Sequence, residues 1–316
     1  MASITQLEYL LAVEEEKHFG RAAQKCHVAQ PSLSIQIQKL EEELETVIFD
    51  RSRKPIRISE EGRAIVEQAR VILKEHKKLF TLAEEGASEA RGEFHLAVIP
   101  TLSPYLIPLF LGKFSQMFPK VELKIREAQT EDIIRLLKSD QIDGGLLVTP
   151  LQDEQIIERH LFFEPFYAYF SKQHSLLKKS RLKDSDLNGE DLWLLEEGHC
   201  FRNQMLNVCS IGRDNRVMAN VEFSSGSLET LVQLVKKNDG FTLLPELAVT
   251  SLSAAEKKQL RGFSKPVPTR EVSLVHSRSF LKEKILQSLE TCILDSIPKE
   301  VKSLKKGNIN VVDIKN

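Results

Sequence analysis

Two of the chain's four cysteines, Cys200 and Cys209, stand nine positions apart in the stretch LEEGHCFRNQMLNVCS, which runs from Leu195 to Ser210. His199 precedes the first cysteine and Arg202 follows it by two. A thiolate is a nucleophile and a metal ligand, and a neighbouring cation stabilises it. Arg202 is permanently charged and His199 can carry a charge. Cys209 has only Val208 and Ser210 beside it, both neutral. On residue types alone four readings stay open: a metal site, a reactive thiol, a disulfide, or two small buried apolar residues. Zinc is poorly served, because adjacent His and Cys side chains rarely reach one ion and a fourth ligand is missing. No metal and no cofactor is expected. Cys26 and Cys292 read as buried hydrophobes. The latter follows Ile285 and Leu289 at i, i+4, i+7 spacing.

Whatever these thiols do, other elements must position them. The 316 residues are 41% hydrophobic and 28% charged, which is ordinary for folded domains and argues against disorder. Net charge is −1 and names no partner. Local charge says more. From Lys17 to Lys39 there are four Lys/Arg and no acid, and Arg51-Ser-Arg-Lys-Pro-Ile-Arg57 adds four more. A segregated basic face of this kind suits phosphate binding. No secretory signal and no membrane span is expected. A cytoplasmic location, where thiols stay reduced by default, follows.

Thr5-Gln-Leu-Glu8 fits a helix-opening capping box. A short helix follows at about 20–26. In the third, Pro31 suits a first turn, and Leu33, Ile37, Leu40 and Leu44 mark one buried face. The opposite face carries Gln30, Ser32, Ser34, Gln36, Gln38 and Lys39, amides and hydroxyls able to read base edges and an ammonium able to hold phosphate. This predicts a helix-turn-helix. IFDRSRKPIRIS reads as a basic-tipped hairpin, a wing with Arg51, Arg53 and Lys54 at the DNA backbone.

From 59 to about 86 one long helix is predicted. Ile65, Ala69, Ile72, His76, Leu79 and Ala83 form a seam for a partner helix. Beyond it the pattern alternates. FHLAVI, VELKIRE, IDGGLLV, FYAYFS, DLWLL, VMANVEF, FTLLP and EVSLVH read as strands. The segments 104–118, 130–139, 227–240 and 281–296 read as helices. This alternation predicts an α/β body with helices on both sheet faces. The tail, 302–316, is polar and reads as loosely held.

The arrangement resembles the LysR-type transcriptional regulators. FGRAAQKCHVAQPSLSIQIQKLEEEL, FDRS…IRISEEG, the long helix and the α/β body carry the resemblance over nearly the whole chain. It implies an α+β multidomain protein: an all-α winged helix-turn-helix (1–58), a linker dimerisation helix (59–87) and a two-lobed, periplasmic-binding-protein-like regulatory domain (88–300). The lobes are expected at 91–164 with 266–300, and at 165–265, with a polar tail at 301–316. Gln30, Pro31, Ser32, Ser34, Gln36 and Lys39 are the expected major-groove set. A homodimer or homotetramer on double-stranded promoter DNA is implied.

IPTLSPYLIP, EAQT, LEEGHCFRNQ…C, SLETL and GFTLLP are similar to the OxyR peroxide sensors within that family. That similarity implies Cys200 as the thiol oxidised by hydrogen peroxide and Cys209 as its resolving partner. It also implies Thr101, Thr130, His199 and Arg202 around the peroxide, recruitment of RNA polymerase by the oxidised form, and glutaredoxin or thioredoxin as reductant. Thr101 and Thr130 are singled out by the resemblance alone. One position departs: Asn203 stands where many members carry Asp. If 200–209 is helical when reduced, its ends lie roughly 13 Å apart, beyond a disulfide's reach of about 7 Å. Joining them would require that segment to reshape.

Two other readings compete. A LysR-type regulator could sense a small organic co-inducer between its lobes. A thiol peroxidase would leave the helix-turn-helix and the long helix without a purpose, so an enzyme is not expected.

Overall fold

The computed structural model describes residues 2–52, 54–85, 89–187, 191–209, 225–278, 282–302 and 306–314. The chain divides into two compact units, 1–86 and 87–316. Among the described residues no helix is long and apolar enough to cross a membrane.

In the first unit α1 (Ile4–Glu16), α2 (Phe19–Lys25) and α3 (Gln30–Glu43) precede a hairpin of β1 (Phe49–Asp50) and β2 (Arg57–Ile58), then α4 (Glu60–Glu85). The box that opens α1 is Ser3 with Gln6, not Thr5 with Glu8. Both pairs have the right spacing. The earlier one prevails because it makes Ile4 helical, where it packs on the unit's core. Leu33, Ile37 and Leu40 of α3 are fully buried, whereas Leu44 caps the helix and is exposed.

The 26 residues of α4 span about 39 Å. Its first turns belong to the winged domain: Val66, Ala69 and Leu73 are buried in that core, and Ile65 packs against it. The predicted seam is therefore shared. Ile65 and Ala69 serve the helix's own domain, since a straight helix drifts about 20° per heptad and cannot present one seven-residue stripe to a single partner throughout. Val71, Ile72, Leu79 and Phe80 remain exposed, with the His76 ring edge-on to Phe80. The Ala83 side chain lies outside the described residues.

The second unit runs β3 (Gly92–Val98), α5 (Ser103–Met117), β4 (Val121–Glu127), α6 (Thr130–Lys138), β5 (Gly144–Thr149), β6 (Ile156–Phe170), α7 (Cys200–Cys209), α8 (Leu228–Lys237), β7 (Phe241–Pro245), α9 (Glu246–Thr250), α10 (Ala254–Lys257), β8 (Leu260–Gly262), β9 (Val267–Ser277), α11 (Glu283–Ser296), α12 (Lys299–Lys302) and β10 (Ile309–Val311). The sheet order is β4-β3-β5-β9-β6-β7, with β8 on β6 and β10 on β9. β3 is parallel to β4 and β5, and β9 is antiparallel to β5 and β6.

Two cores make two lobes. One gathers Phe94, Phe110, Ile133, Leu146 and Leu286; the other gathers Phe170, Phe201, Met205, Leu231 and Phe241. β6 leads from the first to the second and β9 leads back. FYAYFS and EVSLVH are thus parts of longer strands.

DLWLL is not a strand. It makes one bridge, Leu192 to Phe241, and is otherwise an apolar run buried in the second core, with Trp193 Nε1 donating to the Asp239 carbonyl. VMANVEF lies outside the described residues. The tail departs most from expectation. Residues 306–314 are docked, because β10 pairs with Val267–Thr269 and because Val312 and Ile314 each have a core to enter.

Candidate functional site

Cys200 opens α7 and Cys209 closes it, and both are free thiols. Nine steps at about 1.5 Å separate their Cα atoms by roughly 13 Å, about twice a disulfide's reach. They also face different cores: Cys200 packs against the first, and Cys209 lies inside the second. The helix forms because Phe201, Met205, Leu206 and Val208 are buried along it. Its entry needs Gly198, whose φ of +90° suits glycine and where a Cβ would stand only 2.6 Å from Gln129 Oε1.

Burial pushes the Cys200 thiol above its ordinary pKa. Opposing this are the Thr130 hydroxyl, the charge of Arg270 and the N–H groups of Phe201 and Cys200 at the helix start. All four favour a thiolate. The Thr130 contact is loose: its oxygen is sealed from solvent and makes no well-aligned hydrogen bond. Thr130 opens α6.

Arg270 is the cation the sequence reading missed. It is fully buried, as is Glu164, and the two are cross-strand neighbours on β9 and β6. Arg270 Nε donates to Glu164 Oε2 at 2.8 Å, and Nη2 pairs with the same oxygen across 2.8 Å. Nη1 donates to Thr101 Oγ1 at 3.1 Å and Nη2 to the Thr101 carbonyl at 3.2 Å. The guanidinium stands 5.4 Å from the Phe201 ring centre. Glu164 also accepts the Leu247 N–H. Nothing near Cys200 in sequence signals either residue; only the pairing of β6 with β9 brings them in.

The predicted neighbours divide accordingly. Thr101 and Thr130 reach the site, one through Arg270 and one beside the sulfur. Arg202 turns away: its Nη1 donates to the Leu195 carbonyl at 2.7 Å and ties the loop to α7. The cation acting on Cys200 is Arg270 instead, while the Arg202 guanidinium is tied to that carbonyl. His199 is buried, with Nε2 3.5 Å from Glu196 Oε1. It lines a surface cleft of about 490 Å³ together with Pro100, Glu127, Gln129, Asp132 and Glu196.

Cys209 lies in another environment. Burial and the negative charges of Asp184 and Asp191 raise its thiol to about 12. Cys292 is buried in the first core, and Cys26 is half-buried at the end of α2.

In the first unit Gln30, Pro31, Ser32 and Lys39 are exposed on α3, and Ser34 and Gln36 are half-buried. Ile35, which the sequence reading passed over, is exposed among them. Arg51 is engaged within the fold. It pairs with Glu41 at 2.7 Å and lies over the Phe19 ring, while Glu41 also accepts the N–H groups of Ile48 and Phe49. Lys54 is exposed, and Arg53 lies outside the described residues.

Comparison with known proteins accords with this architecture. Residues 4–63 match the bacterial regulatory helix-turn-helix protein, lysR family, and residues 87–296 match the LysR substrate binding domain. The chain belongs to the LysR family. Several of its relatives are named for hydrogen peroxide induction or as OxyR. It is 38% identical to the hydrogen peroxide-inducible genes activator of Dickeya chrysanthemi, over 87% of this chain and 89% of that protein. It is equally 38% identical, over the same shares, to the DNA-binding transcriptional dual regulator OxyR of Escherichia coli. A full-length cysteine-to-aspartate OxyR of Pseudomonas aeruginosa has a similar structure, with a TM-score of 0.76 and 32% identity over 94% of this chain and 99% of that one. As a LysR-family member the chain is a DNA-binding regulator rather than an enzyme. The helix-turn-helix match covers α1 to α3 and the hairpin, and the substrate-binding-domain match covers most of the second unit, with both of its cores.

Proposed function

We propose that this LysR-family chain activates oxidative-stress defence genes in response to hydrogen peroxide, through reversible joining of Cys200 to Cys209. The observation that carries this reading is the contrast between the two thiols. Burial raises both thiols, but at Cys200 Thr130, Arg270 and two helix N–H groups oppose it, whereas at Cys209 two carboxylates add to it. One thiol is built to attack and the other to follow.

The Cys200 thiolate attacks a peroxide oxygen, the O–O bond breaks, and the departing hydroxide takes a proton to become water. This leaves a sulfenic acid at Cys200. The Cys209 sulfur then attacks the Cys200 sulfur, its thiol proton leaves with the sulfenic hydroxyl as a second water, and the disulfide forms. Two electrons from two thiols reduce one peroxide. His199 and the cleft beside it offer the peroxide an entry, and Thr101 holds the Arg270 guanidinium in place. Because α7 holds the sulfurs apart, the second step reshapes the helix and moves elements of both lobes.

The α3 face with Gln30, Pro31, Ser32, Ser34, Gln36 and Lys39 enters the major groove of promoter DNA. Lys54 lies near the phosphates. Pairing along α4, at Ile72, Leu79 and Phe80, gives a homodimer and then a tetramer. The protein works in the cytoplasm, its oxidised form engages RNA polymerase, and a glutaredoxin- or thioredoxin-type dithiol resets it.

The test is footprinting on promoter DNA with and without peroxide, for the parent protein and Cys200→Ser. A footprint that changes in the parent alone supports the reading. A peroxide-independent footprint in both points to an organic co-inducer between the lobes.

A further inference from the structure

The residues that follow α12 touch α7 in an ordered way. β10 extends β9 through Ile309–Val311, and the Val312 N–H donates to the Thr269 carbonyl at 2.9 Å. Three amide side chains of α7 then grip the next three backbone carbonyls. Gln204 Nε2 donates to Val312 at 2.9 Å, Asn207 Nδ2 to Asp313 at 3.2 Å and Asn203 Nδ2 to Ile314 at 3.1 Å. Val312 is buried in the second core and Ile314 in the first. The strap thus fastens the one helix that separates the two thiols, and plugs a side chain into each lobe.

We propose that the strap 306–314 is a latch that holds α7 helical and thereby sets how readily Cys200 and Cys209 join. The proposal rests on the redox reading of those two residues. Residues 203, 204 and 207 share one face only while α7 is a helix. Bringing the cysteine Cα atoms within about 7 Å must destroy that face, so all three bonds are lost as the disulfide forms. The docked strap therefore stabilises the dithiol form and opposes the disulfide. Asn203 fits this role by its chemistry: an amide can donate to a carbonyl, and an ionised Asp has no proton to give. The departure at 203 and the docked tail are two halves of one contact.

The experiment compares three proteins: the parent, the full-length double variant Asn203→Asp/Asn207→Ala, and a chain ending after Asn308. Amide hydrogen exchange across α7 is measured on the reduced proteins. The Cys200–Cys209 equilibrium is then measured in dithiothreitol redox buffers. The latch predicts α7 exchange several-fold faster in the double variant and on the order of tenfold faster in the truncated chain, as lost hydrogen bonds imply. The disulfide should be favoured by a similar factor, about 30 mV per tenfold. Exchange within twofold of the parent in both variants overturns the proposal, as does faster exchange with an unmoved equilibrium. The double variant keeps β10, Val312 and Ile314, and decides the matter if the truncated chain does not fold. A parent protein that forms no Cys200–Cys209 bond overturns the redox reading itself. That failure is separable, because the exchange data need no oxidant.

Discussion

Glu164 and Arg270 face each other across β6 and β9, fully buried, at the point where those strands pass from one lobe's core to the other's. The same guanidinium holds Thr101 and lends its charge to Cys200. The hinge of the body and the electrostatics of the thiol are therefore one structure.

Arg270→Met should separate two effects. It leaves Glu164 buried without its cation, which costs about 3–5 kcal/mol of stability. It also removes the positive charge beside Cys200, so peroxide oxidation of the remaining folded protein should slow at least tenfold. Adding Glu164→Gln should recover much of the stability and none of the rate. Denaturant titration and stopped-flow thiol oxidation on the three proteins check this.

Thr130→Val should behave in the opposite way. The Thr130 hydroxyl is buried without a well-aligned partner, so replacing it with a methyl should leave folding stability within about 1 kcal/mol. Yet the hydroxyl favours the Cys200 thiolate, and its loss should raise the thiol's pKa and slow oxidation several-fold. Thermal melts beside pH-dependent alkylation of Cys200 distinguish this from a merely structural effect.

Cys209 should make the reduced protein sensitive to alkali. Its thiol is raised from 9.0 to about 12 in the fold. A raised acid pKa means that the folded state holds its proton longer than the unfolded chain does. The stabilisation is complete below about pH 9 and lost as pH climbs towards about 12. Melting temperature under reducing conditions should fall over that window in the parent, and fall less steeply in Cys209→Ala.

Gly198→Ala should disturb the site from outside it. The positive φ strains alanine, and its methyl would meet the Gln129 amide. Moving that turn shifts His199 and Cys200 together. Peroxide oxidation should slow severalfold while far-ultraviolet circular dichroism stays that of the parent.

Much of this was legible in the sequence because local pattern decides it. The α3 face, VELKIRE as β4 and FTLLP as β7 follow from periodicity, and the Cys200 motif from its resemblance. Arg270 was not legible, because its place depends on the register of two distant strands. Arg202 misled for the converse reason: adjacency in sequence is not adjacency in space, and its guanidinium found the Leu195 carbonyl. The tail misled through composition. Two apolar side chains and a β-pairing hold a segment that is otherwise polar.

The central claim is that Cys200 and Cys209 join on oxidation although α7 holds them apart. Non-reducing peptide mass mapping before and after one equivalent of hydrogen peroxide tests it most directly. The account predicts a Cys200–Cys209 linked peptide in the treated sample alone, reversed by a dithiol reductant. Free thiols at both positions after treatment would contradict it.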